Sequence, residues 1–166
     1  MDYTVAMQRA VALAENGLGK TAPNPIVGAV IIDSAGLIVG EGFHDRMKSP
    51  DHAEVVAIKA AGAKAKNATL VVSLEPCNHV GSTGPCVAAI IDAGITSVVY
   101  AVSDPNAKAA GGAETLRAAG IKVVSGLLEK EAAYSNRAWL TKIAKNHPYF
   151  TWKVATTLDA KVAATD

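Results

Sequence analysis

The feature that most constrains this chain is an alternation that begins at Thr69. Three short runs rich in β-branched residues, Thr69–Leu74, Ser97–Val102 and 121–124, alternate with helical segments at 85–93, 113–119 and 127–144. Strands that follow one another through helices pair in parallel, as crossover units of an α/β domain. Upstream, Tyr3, Ala6, Met7, Ala10, Leu13 and Ala14 recur at three-and-four spacing, an amphipathic helix that Gly17 can stop. The runs 26–32 and 37–43 flank Asp33-Ser34-Ala35-Gly36 and read as a hairpin, and 52–63 reads as a further helix. The expected fold is therefore α/β, a three-layer α/β/α arrangement around a mixed, mostly parallel five-stranded sheet, to which the hairpin adds an antiparallel edge.

Composition narrows the function. The chain has 166 residues, half of them hydrophobic and 19% charged, enough to bury one ordinary core and too apolar for a disordered segment. A net charge of +1 and 5% aromatic content leave neither a basic surplus for phosphate backbones nor many stacking platforms, so no nucleic-acid partner is expected. No apolar run approaches the ~18 residues of a membrane helix, and the first residues lack a basic segment followed by an apolar one. A cytoplasmic protein without a membrane partner is the expectation. Two cysteines are too few for a disulfide scaffold, and in a reducing compartment paired cysteines more often bind metal.

The chemistry gathers in two places. His52-Ala53-Glu54 opens a helix just after Pro50 and Asp51. Pro76-Cys77 follows a strand, and Cys86 is placed at the second position of a helix begun by Pro85. One imidazole and two thiolates suit a tetrahedral zinc ion whose fourth place stays open. A helix N-terminus should lower the Cys86 pKa and favour its thiolate. Glu54, two positions after His52, is placed to move a proton without ligating the metal. Other readings stand beside these. Asp51-x-x-Glu54 also fits a capping box, and the two cysteines alone fit a disulfide or a pair of inert core thiols. The joint pattern approaches the zinc-deaminase signature of H-x-E followed by P-C-x-x-C, but with eight residues between the cysteines.

Read together, Thr21-Ala-Pro-Asn-Pro-Ile-Val-Gly-Ala-Val30, His52-Ala-Glu54, Ser73-Leu-Glu-Pro-Cys-Asn-His79, Thr83-Gly-Pro-Cys86 and Asp104-Pro-Asn106 resemble a known family. It is the pyrimidine deaminase domain of the bifunctional riboflavin-biosynthesis deaminase/reductase, within the cytidine-deaminase-like superfamily. The long cysteine spacing belongs to that branch. The resemblance implies zinc-dependent hydrolytic removal of the C2 amino group of 2,5-diamino-6-ribosylamino-4(3H)-pyrimidinone 5′-phosphate, with release of ammonia. It implies that His52, Cys77 and Cys86 hold Zn2+, that Glu54 shuttles the proton, and that Asn24, His44, His79 and Ser82 border the pyrimidine ribotide. Asn24 offers both a donor and an acceptor, and His44 and His79 are expected to donate to ribose or phosphate oxygens. A homo-oligomer, dimer or tetramer, is implied as well.

Three departures from the family stand out. Ser82 occupies a place where a Lys or Arg is usual, the loop from His44 to His52 is one residue longer, and Ala160 replaces a usual Gly. The segment Trp152-Lys153-Val154-Ala155-Thr156-Thr157-Leu158-Asp159 resembles the opening strand of the family's reductase domain. The expected division is therefore 1–147 for the deaminase domain and 148–166 for the start of a reductase-like segment. Two alternatives share the pattern: a deaminase of another base (guanine, cytosine or a tRNA adenosine), and a catalytically silent, zinc-stabilised assembly module.

Overall fold

Period-two alternation within the strands divides the core into two faces. In the computed structural model, which describes residues 2–79, 84–106 and 109–162, β1 (Gly28–Ile32) sends Ala29 and Ile31 to one side and Val30 and Ile32 to the other. The strands β3 (Thr69–Leu74) and β4 (Ser97–Val102) divide alike, Leu70, Val72, Val98 and Tyr100 against Val71, Val99 and Ala101. Strands apolar on both faces need cover on both, which is why helices flank the sheet on each side. The helices α2 (Ala53–Ala61), α3 (Cys86–Asp92) and α4 (Gly112–Ala118) cover the first face with Ala53, Ala57, Val87, Ile90 and Leu116. Helix α1 (Thr4–Glu15) covers the second with Ala6, Met7, Ala10 and Leu13, joined by Ala132 of α5 (Glu129–Ser135).

With β2 (Ile38–Phe43) and β5 (Lys122–Ser125), the sheet order is β2-β1-β3-β4-β5. β1 is antiparallel to both β2 and β3, while β3–β4 and β4–β5 are parallel. Four of the five strands thus run in one direction and β1 alone opposes them, which is the expected three-layer mixed sheet. The hairpin's contribution is different in detail, because its first strand lies inside the sheet and its second forms the edge. Helix α2 ends in a 3-10 turn at Gly62–Ala65. Residues 148–162 carry neither helix nor strand and are exposed throughout. Among the described residues no helix is long and apolar enough to cross a membrane.

The single long helix expected over 127–144 is instead two, α5 and α6 (Arg137–Lys145), broken at Asn136. Asn136 is 4% exposed. Its Oδ1 accepts the Ile26 N–H at 3.0 Å and its Nδ2 donates to the Ile26 carbonyl at 2.7 Å. The side chain behaves as one residue of a β-ladder, satisfying backbone groups that would otherwise be buried unpaired. This bond ties the α5–α6 junction to the loop that carries Asn24. Asn136→Ala should lower unfolding free energy by about 2–4 kcal/mol, since two buried backbone groups lose their partner. Asn136→Asp, which keeps the acceptor and loses the donor, should fall between, and urea denaturation of the three proteins measures both steps.

Candidate metal centre and the cavity above it

Two chain segments meet at the metal cluster. His52 is the N-cap of α2, with extended backbone, and Ala53 and Glu54 follow on the buried face. The capping-box reading does not hold: no side chain caps this helix, Glu54 is 3% exposed, and the Asp51 carboxylate pairs with Lys59. On the second segment Cys77 follows β3, and Cys86 opens α3 with Pro85 as its cap residue, so each stands one helix position earlier than expected. Both cysteines are buried and free of disulfide.

The donor atoms of His52, Cys77 and Cys86 lie within 4.8 Å of one another. His52 Nδ1 is 3.5 Å from Cys77 Sγ and 3.2 Å from Cys86 Sγ. Tetrahedral zinc, with bonds of ~2.3 Å to sulfur and ~2.0–2.1 Å to nitrogen, sets such N···S pairs about 3.6 Å apart. The cluster thus has the size and donor set of a three-ligand zinc site.

Electrostatics point the same way. Hydrogen bonding from Cys86 first, then from His52 and the Cys86 N–H, draws the Cys77 thiol down to about 4 against the opposing effect of burial. Cys86 is raised instead, first by its bond to Cys77, then by burial and by Glu54. This reverses the expectation from the sequence. The first amide of α3 donates to Cys77 Sγ at 3.4 Å, so the helix terminus favours the other thiolate. His52 is raised, chiefly by its bond to Cys77. Two thiols and an imidazole so close share protons; a zinc ion held by His52, Cys77 and Cys86 would stabilise both thiolates by its own charge.

Glu54 sits over this cluster. Burial, then the Cys77 charge, raise its carboxyl to about 7. A carboxyl in that range can take up a proton and release it again.

Above lies a cavity of about 450 Å³ that Asn24, His44, His52, Glu54, Cys77 and His79 all line. The structure therefore brings together every described residue singled out in the sequence, with Cys86 buried behind the wall. Ser82 lies outside the described residues. His44 differs from expectation. Its Nδ1 donates to the Asp51 carbonyl at 2.9 Å, and its Nε2 faces Asn24 Nδ2 at 3.4 Å as the acceptor. Burial lowers its pKa, so the neutral ring, with its single N–H already committed, is favoured. His79 Nδ1 is buried and has no hydrogen-bond partner among the described residues.

Sequence reasoning missed several lining residues. Arg46, Trp139 and Ile143 were not singled out, and Glu75, Asp104 and Asn106 were quoted only as parts of motifs. Trp139 and Ile143 stand one turn apart on α6, a spacing that marks a common face. Glu75 accepts the Asp104 N–H at 3.2 Å and the Ala113 N–H at 3.0 Å, clamping the 104–113 segment to the end of β3.

A buried carboxyl beside a cluster of three metal-binding donors, at the N-terminal ends of two helices, is the arrangement of a three-ligand metal site with an ionisable group next to it. Residues 2–102 match the family described as the cytidine and deoxycytidylate deaminase zinc-binding region, and the chain belongs to that family. The riboflavin biosynthesis protein RibD of Mycobacterium tuberculosis (strain ATCC 25618 / H37Rv) is 50% identical over 162 residues, 97% of this chain and 48% of that protein. A solved structure from Thermotoga maritima, a diaminohydroxyphosphoribosylaminopyrimidine deaminase/5-amino-6-(5-phosphoribosylamino)uracil reductase, superposes with a TM-score of 0.91 at 43% identity, over 97% of this chain and 46% of that one. Acinetobacter baumannii RibD gives a TM-score of 0.87 at 44% identity, over 94% and 44% of the two chains. The chain spans about half the length of the curated relatives it matches.

Purified protein should hold one equivalent of zinc. Cys77→Ser and Cys86→Ser should each weaken zinc by more than the roughly 10–100-fold that loss of an outer-sphere partner costs. Metal analysis after dialysis against a graded chelator reads the difference; full zinc in both variants would remove these thiols from the site.

Proposed function

We propose that this chain carries out the hydrolytic deamination of a 2,5-diaminopyrimidine ribotide, the reaction named for the first activity of the Thermotoga maritima relative. The observation that carries this reading is Glu54: a carboxyl 3% exposed, set against His52, Cys77 and Cys86 on the floor of a cavity with a polar wall. A zinc site that served folding alone has no use for such a group, whose burial opposes folding. This speaks against the silent assembly module.

His52, Cys77 and Cys86 would hold the zinc ion, which supplies the Lewis acidity that makes a water molecule nucleophilic at neutral pH. Glu54 accepts the proton that this water loses as its oxygen bonds to the ring carbon bearing the amino group. That proton passes to the adjacent ring nitrogen; Glu54 then takes the second proton from the added hydroxyl and gives it to the departing nitrogen, so that C–N cleavage releases ammonia and leaves a ring carbonyl beside a ring N–H. Glu54 is returned to its starting state with no outside acid or base.

Asn24 borders the ring or ribose. His44 accepts from one Asn24 N–H, which fixes the amide and leaves its carbonyl oxygen and second N–H for a substrate edge. His79 offers an unpartnered ring nitrogen on another wall. Segment 148–166 belongs, in this reading, to the start of a reductase-like unit, supported by relatives whose similarity runs across it into a chain twice as long. Two buried unpaired thiols suit the reducing cytoplasm.

Glu54→Gln should keep zinc and lose at least the ~10²–10⁴-fold that a general acid–base group contributes. Ammonia release from the ribotide, from cytidine and from guanine, measured on both proteins, checks this and the substrate at once. Turnover of a free base in preference to the ribotide would move the reading to another deaminase. Activity of the variant within tenfold of the parent would reduce Glu54 to a packing residue.

A further inference from the structure

Arg46 is the one Lys or Arg among the described residues that line the cavity. It is exposed, whereas Glu54 and Glu75 are buried, so the cavity has acidic groups at its inner end and a cation at its rim. Arg46 Nη1 donates to the Ala22 carbonyl at 3.1 Å, which holds the guanidinium against the loop that carries Asn24. The same side chain borders a second hollow of about 300 Å³, which shares Asn24, His44 and Arg46 with the first and adds Lys48 and Ser49. The two hollows meet at these three residues.

Resting on the deaminase reading, we infer that Arg46 binds the phosphate of a ribose phosphate ester and thereby selects a ribotide over a free base or nucleoside. A planar base alone gives a rim cation nothing to hold. A phosphate monoester does, and a guanidinium meets its oxygens with a fork of parallel N–H bonds. The acidic inner end repels the phosphate and leaves the base as the group that enters. One N–H of Arg46 is spent on Ala22, so its remaining donors are presented from an anchored position. Lys48 is the weaker candidate: its ammonium lies 3.8 Å from Asp45 Oδ2, its side chain is 80% exposed, and it borders only the second hollow.

The test compares the ribotide with its dephosphorylated riboside on the parent protein, Arg46→Ala and Arg46→Lys. For Arg46→Ala the ratio of kcat/KM, ribotide over riboside, should fall roughly tenfold or more, the loss of a charge-assisted bond. Arg46→Lys should recover part of it, and added salt should narrow the gap in the parent. An equal loss on both substrates would mean that Arg46 only holds the Ala22 loop, and an unchanged ratio would mean that the phosphate lies elsewhere; either overturns the inference. Should neither compound be deaminated, the deaminase reading falls by itself. Calorimetry with ribose 5-phosphate then decides the inference alone: weaker binding to Arg46→Ala upholds it, and equal binding overturns it.

Discussion

Helix α2 lies on β2 at its observed distance because Gly40 and Gly42 carry no side chains. A Cβ on Gly40 would sit 2.4 Å from the Ala57 carbonyl, and one on Gly42 would sit 2.6 Å from the Ala53 carbonyl. Opposite them the helix presents Ala53, Ala57 and Ala61, all buried. Small residues on both partners turn an ordinary helix-on-sheet contact into a backbone-to-backbone one, which has almost no slack. The register of this contact decides where the first turn of α2 begins. His52 and Glu54 inherit their positions from it.

The cysteine side of the site depends on a second tight contact. Gly112 opens α4 so near the Pro76 carbonyl that no Cβ fits between them. The Glu75 carboxylate bridges the same two segments through Asp104 and Ala113, and Ser73 Oγ accepts the Gly28 N–H across to β1 at 3.1 Å. Cys77 therefore follows a strand end held from three directions. A metal cluster built from two segments needs each to be rigid before the ion arrives, because a loose ligand loses part of the binding energy to ordering.

Much of this was legible in the sequence, and for identifiable reasons. The strands from 69 to 102 are bounded as expected because their apolar runs are uninterrupted and end in Pro, Gly or polar residues. The H-x-E and Pro-Cys motifs are legible because ligand chemistry admits few residue types. The break at Asn136 is not, since its cause is a bond to Ile26, 110 residues away, and the local pattern reads as one helix. Arg46 escaped because a single basic residue on a polar loop has no distinguishing spacing; only the fold carries it to the rim beside Asn24. The Cys86 expectation failed on direction: the sequence placed it correctly at a helix opening, but the first amide points at its partner thiol.

Two glutamates, twenty-one residues apart, show how the fold separates structure from chemistry. Both are buried, Glu75 at 8% exposure and Glu54 at 3%. Glu75 accepts backbone N–H groups from two segments, so its charge is met by fixed dipoles and its carboxylate acts as a clasp. Glu54 has the cluster itself as its surroundings, Cys77, His52 and Cys86, and burial is the main influence on its proton. A carboxylate whose oxygens are committed to backbone donors serves to join the segments that carry them. One left to burial and to a charged metal cluster can change state when the charge beside it changes. The same residue type, placed at one end of β3 and at one end of α2, is thus a brace in the first case and, in the proposed reaction, the proton carrier in the second.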